Sequence, residues 1–154
     1  MRREKDSDSI RQEVRYGGET TVGTGASERD TMATTETENK ELVHTLTNEA
    51  MSEHNMDIAD ELVSEDYVAH NSMIPELYYG PEGFKETMSK FLTAFPDMDY
   101  TVDAVIAEDD KVVTRYRGTA THEGGLMGIP PTGKEIELKG TIIWRIEDGQ
   151  IAEA

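Results

Sequence analysis

Apolar residues recur at helical spacing through Leu42, Val43, Leu46, Ala50 and Met51, which predicts an amphipathic helix over about 36–54. Thr35 followed by Glu38 has the pattern of a capping box at its start. Asn55-Met56-Asp57 interrupts the period, and Ile58, Ala59, Leu62 and Val63 mark a second, short helix. Asp66-Tyr67-Val68-Ala69-His70 reads as a strand. Gly80-Pro81-Glu82 then opens a third helix, with proline at its first position. Its apolar stripe is Phe84, Met88, Phe91, Leu92 and Phe95, and Pro96 ends it.

Beyond Pro96 the period changes to two. Tyr100, Val102, Ala104 and Ile106 alternate along a strand that turns at Glu108-Asp109-Asp110-Lys111. A second strand covers about 112–122, and Gly124 to Gly133 form a Gly/Pro-rich loop. A third strand, about 135–147, carries Ile136, Leu138, Ile142, Trp144 and Ile146 on one face. Asp148-Gly149 is a hairpin signal, and Gln150 to Ala154 begin a fourth strand. Helices followed by an antiparallel meander predict an α+β domain, with helices on one face of a curved sheet.

Composition divides the chain. Residues 1–35 contain scattered charges, glycines and hydroxyl residues without period, and are expected to be a disordered tail; 36–154 form the domain. Met32 offers an alternative translation start, and a genuine flexible extension is the other reading. Lys and Arg number 15 against 32 Asp and Glu, for a formal net charge of −17. Such a chain repels nucleic acid and anionic membrane surfaces, so neither is an expected partner. The carboxylate coat suggests adaptation to a salt-rich cytoplasm, because in molar salt the Debye length falls to about 3 Å. No apolar run approaches the roughly 20 residues of a membrane span, and no apolar signal core opens the chain. The expected location is the cytoplasm. The absence of Cys excludes disulfides, thiolate metal sites and Cys nucleophiles.

Several motifs then occur in order: Tyr67-Val68-Ala69-His70, Gly80-Pro81-Glu82-Gly83, Phe95-Pro96-Asp97, Thr121-His122-Glu123-Gly124, Gly128-Ile129-Pro130-Pro131-Thr132-Gly133-Lys134 and Arg145-Ile146-Glu147-Asp148-Gly149. Together they resemble the SnoaL-like polyketide cyclases (ester cyclases) of the NTF2-like superfamily, over about 38–154. The resemblance implies a cone-shaped α+β fold around a largely apolar cavity. It also implies cofactor-free closure of a polyketide ester ring by intramolecular aldol condensation. In the cyclases it resembles, an Asp on a late strand does the acid/base work. Here that position, two residues before Trp144, is Ile142.

The remaining candidates are few. His70 ends a strand and shares a face with Val68, which suits a cavity wall and an acid/base role. His122 shares a strand face with Tyr116 and Ala120 and is the second acid/base candidate. Val68, Tyr116, Ile142 and Trp144 are the expected pocket residues. His44 and His54 read as solvated, and no spacing of His, Asp or Glu resembles a metal motif. Glu147 and Glu153 are not evident replacements for the missing Asp. Gly128-x-x-x-x-Gly133-Lys134 nearly spells a P-loop, but Glu135 stands where a magnesium-binding hydroxyl is needed, and Pro130 and Pro131 remove two N–H donors. Three readings follow: a cofactor-free enzyme on a hydrophobic carbonyl compound, a binder of such a compound, or a protein-interaction domain. All three predict a homodimer, because the short strand after Gly149 leaves an edge for a partner to cover.

Overall fold

The computed structural model describes residues 25–71 and 74–154. Helix α1 runs Gly25–Thr47 and continues into a π-helical turn, Asn48–Ser52. A 3₁₀ turn, Met56–Ile58, leads into the one-turn helix α2, Ala59–Leu62. Strands β1 (Val63–Asn71) and β2 (Ile74–Tyr79) precede α3, Gly80–Ala94. Strands β3 (Asp99–Glu108), β4 (Lys111–Thr121), β5 (Glu135–Glu147) and β6 (Gln150–Glu153) complete the chain. Among the described residues no helix is long and apolar enough to cross a membrane.

The six strands form one sheet in the order β2-β1-β6-β5-β4-β3. All pairings are antiparallel except β1–β6, which is parallel and sets Val68 opposite Glu153. That pairing joins the hairpin from the first half of the chain to the meander from the second. Helix α3 lies against β1 and β2, and α1 against β3 and β4. The core between layers holds Val43, Leu46, Ala59, Val63, Val112, Trp144 and Ile151. Leu46 is wholly buried, so its truncation to Ala would cost about 2–5 kcal/mol. A smaller cluster, Ala94, Phe95 and Ala120, closes the end of α3 against β4.

Helix α3 follows its sequence signals at both ends: Pro81 lies at its start and Phe95 caps it before Pro96. Helix α1 begins at Gly25 rather than near residue 36. Its first part is solvent-exposed from Glu28 to Thr35, so no apolar period reveals it. The hydroxyls of Thr34, Thr35 and Thr37 instead donate to carbonyls four residues back. Thr35 is therefore interior to the helix and caps nothing. The rest of the expected tail, 1–24, lies outside the described residues.

Strand β3 departs from strict alternation. A bulge between Val102 and Ala104 shifts the register against β4 by one residue. Val105 and Ala107 consequently pack against the core, while Ile106, which strict alternation would keep in step with Tyr100, is 65% exposed. Ile106 pairs with Val113 and Val113 with Ile143, so an apolar row crosses the outer face of three strands.

Candidate functional site

The inner face of the sheet and the two long helices enclose a cavity of about 480 Å³. Strand β1 contributes Tyr67 and Ala69; α3 contributes Phe84, Thr87, Met88 and Phe91. Tyr100, Tyr116, Leu138, Ile142 and Trp144 form the sheet wall, and Met51 and Met98 fill the corners. Alternation explains the wall: Tyr116, Leu138, Ile142 and Trp144 are all even-numbered residues on the inward side of β4 and β5.

Ring packing shapes this wall. Tyr67 meets Phe84 edge-on, with centroids 6.1 Å apart, and Tyr100 stacks on Tyr116 at 5.0 Å. Gly140 faces Tyr116 across the strands, and a Cβ there would stand 2.6 Å from the phenol oxygen. Glycine at this position thus makes room for the ring. The Trp144 indole donates to Thr114 Oγ1 at 2.9 Å, and the Thr47 and Thr87 hydroxyls bond carbonyls of their own helices. Burial pushes the phenols of Tyr67 and Tyr100 well above the usual tyrosine range, with the Tyr116 neighbour adding to the shift of Tyr100. No Asp or Glu lines this space among the described residues.

The titratable group at the mouth is His70. Its Nε2 lies 3.1 Å from Glu153 Oε1. Glu153 Oε2 accepts from Arg145 Nε at 2.9 Å, and Arg145 Nη1 donates to Glu147 at 2.9 Å. The Arg145 hydrogen bond holds the Glu153 carboxyl below its ordinary value, and His70 adds a smaller contribution. Because a carboxylate only accepts, Nε2 carries the proton in neutral His70 and Nδ1 keeps the lone pair. The backbone fixes this corner as well: His70 N–H donates to the Ala154 carbonyl, and Ala154 N–H donates to that of Val68.

Of the six residues singled out by sequence, His70, Tyr116, Ile142 and Trp144 line the cavity. Val68 does not. On β1 the inward positions are Tyr67 and Ala69, so Val68 points to the other side of the sheet. His122 stays on the inner face of β4 but sits beyond the cavity, under the 5.5 Å contact with the Phe95 ring. Its Nδ1 lies 3.1 Å from Thr132 Oγ1, and its Nε2 is sealed without a partner. The sequence does not single out two neighbouring groups: Tyr67, whose alternation with Ala69 is the available signal, and Glu153, which a non-local strand pairing brings to His70. Among the described residues no group of three or more His, Asp or Glu is placed to hold a metal ion.

Residues 41–154 match the family model described as SnoaL-like polyketide cyclase. A protein from Jannaschia sp. CCS1, provisionally described as a SnoaL-like polyketide cyclase, is similar at 26% identity. That match covers 77% of this chain and 83% of the other, with a TM-score of 0.70. AclR from Streptomyces galilaeus, provisionally described as a hydroxylase, is 28% identical over 77% of this chain and 73% of its own, at a TM-score of 0.64. An M. tuberculosis LEH-like epoxide hydrolase shares the fold at 14% identity and a TM-score of 0.58, over 77% of this chain and 80% of its own. No curated protein matches. The architecture is that of the NTF2-like α+β proteins.

Proposed function

We propose, for a chain that belongs to the SnoaL-like polyketide cyclase family, that the cavity takes up a hydrophobic carbonyl compound and that His70 removes a proton beside its carbonyl. The observation that carries this reading is an apolar, aromatic cavity of about 480 Å³ with one imidazole at its mouth. The size suits a compact multi-ring molecule, and the lining offers no charge to hold an ionic one. His70 Nδ1 would take the proton while the C–H electron pair becomes an enolate. In an intramolecular aldol step the enolate carbon then bonds a second carbonyl carbon, and that oxygen recovers the proton from the imidazolium. No cofactor is needed for this sequence.

Ile142 favours a second reading. It occupies the position at which the family resemblance places an acid/base Asp, and a cavity with that change could bind without turnover.

One probe addresses both. Trp144 is the chain's single Trp and lines the cavity, so its fluorescence should change on titration with 2-tetralone, a hydrophobic fused-ring ketone. In neutral D₂O the protein should also accelerate hydrogen–deuterium exchange at the probe's C1, followed by proton NMR. Binding without acceleration would leave the non-catalytic reading; no binding would sink both.

A further inference from the structure

We propose that the Tyr67 hydroxyl is the hydrogen-bond donor that receives the carbonyl oxygen of the bound compound. The inference rests on the preceding reading of the cavity and assigns one of its walls a specific task.

Tyr67 is only 3% exposed, yet its hydroxyl makes no hydrogen bond among the described residues. A buried phenol normally finds a partner, because an unmet donor costs about 1–3 kcal/mol. The one sealed side-chain polar atom lacking a partner among the described residues is His122 Nε2, so the Tyr67 oxygen touches open space. Since Tyr67 lines the cavity, that space is the cavity. The ring cannot easily swing away: it is held edge-on against Phe84, within the core that also contains Val63 and Ala69. Burial raises the phenol's pKa, so the hydroxyl keeps its proton and remains a donor across the ordinary pH range.

A fixed neutral donor in an apolar wall selects for an acceptor. It fits a carbonyl oxygen, and it fits better still the oxygen of an enolate, where negative charge gathers as the α-proton leaves. The site therefore favours ketone-bearing guests over hydrocarbons of the same shape. A site built to bond an oxygen rejects the analogue without one, because the donor is then left unmet.

A matched pair of probes tests this: 2-acetylnaphthalene, and 2-isopropenylnaphthalene, in which CH₂ replaces the oxygen. Affinities for both would be measured by calorimetry on the full chain and on Tyr67→Phe, which keeps the ring. The carbonyl ¹³C resonance of labelled 2-acetylnaphthalene would report the bond directly. The expected result is about tenfold weaker ketone binding in Tyr67→Phe, with hydrocarbon affinity changed less than about twofold. The carbonyl resonance should move downfield in the wild-type complex and return toward its free value in the variant. Ketone binding that survives Tyr67→Phe unchanged, in affinity and in shift, overturns the assignment and leaves the cavity reading intact. Equal weakening of both probes overturns it too, since only shape would then have been lost. Failure of 2-acetylnaphthalene to bind the wild-type chain overturns both, whereas ketone binding with the hydrocarbon excluded supports the donor.

Discussion

His70 and His122 both end strands that help to form the inner sheet, yet their surroundings differ in every respect. His122 is roofed by the loop after β4. Its N–H donates to the Lys134 carbonyl, its own carbonyl accepts from Gly133, and its ring lies between Phe95 and Thr132. His70 has no such roof, and its side chain is 57% exposed. Its neighbour is a carboxylate on β6, which Arg145 holds from the other side. One imidazole is held beneath a loop, and the other is exposed beside the cavity and bonded to a carboxylate. On the reading proposed above, proton transfer needs access and an oriented acceptor, which the β1–β6 corner would supply. Residue type and strand position, which the two share, decide nothing here.

The largest effect that could break this contrast is on turnover. His70→Ala should lower the rate of 2-tetralone exchange by about a hundredfold or more, in line with the loss of a general base. Its melting temperature should scarcely move, because little packing is lost at so exposed a position. An exchange rate in His70→Ala equal to wild type, with His122→Ala inactive but folded, would reverse the roles assigned here.

His122→Ala should show the converse, a loss of about 2 kcal/mol of stability by denaturant unfolding. The ring is buried, and its removal opens a hole beside Phe95 and frees Thr132. His122→Phe should be much milder. It forgoes the Thr132 bond but also removes a sealed nitrogen that has no partner, and those changes oppose one another. If the phenylalanine variant is as damaged as the alanine one, hydrogen bonding rather than packing dominates this corner.

How much of this contrast the sequence discloses depends on how local each feature is. Helix α3, the β4 and β5 strands and the inward set Tyr116, Leu138, Ile142 and Trp144 follow from period and from proline placement alone. The exposed start of α1 escapes because periodicity registers burial, and a solvated helix has none. The bulge in β3 escapes because one extra residue reverses every later position on the strand, and Ile106 changes faces with no change in composition. Counting in twos puts Val68 inward with His70, whereas β1 turns Tyr67 and Ala69 inward, and His70 still borders the cavity near the end of the strand. Glu153 could not be paired with His70 at all without the parallel β1–β6 register, a contact across more than half the chain.

Salt should separate the two corners further. The chain carries a formal net charge of −17, so raising KCl from dilute to molar should raise the melting temperature by several degrees as self-repulsion is screened. The destabilisation caused by His122→Ala should be the same at both salt levels, because the packing it removes is insensitive to ionic strength. A melting temperature independent of KCl would remove the case for salt adaptation.

The smallest expected effect belongs to Glu153→Gln. Glu153 is 41% exposed and its partner His70 57%, so screening leaves the pair little energetic weight of its own. The carboxylate's contribution is orientation: it holds the proton on Nε2 and leaves the lone pair on Nδ1. The amide can also accept there, but it can flip and donate instead, so the imidazole should sample both tautomers. Exchange of 2-tetralone should therefore fall only a few-fold, whereas the long-range ¹H–¹⁵N spectrum of His70 should change from mainly Nε2–H to a mixture. The thermal consequence has a definite sign with pH. Arg145 depresses the Glu153 pKa in the folded chain, so the wild type's advantage over Glu153→Gln is present above the unfolded carboxyl's ordinary value of 4.5. It should shrink as the pH falls through the lower, folded value. A variant that loses turnover as completely as His70→Ala, with the His70 tautomer unaltered, would mean that Glu153 itself handles the proton and that the base has been assigned one residue too far along the relay.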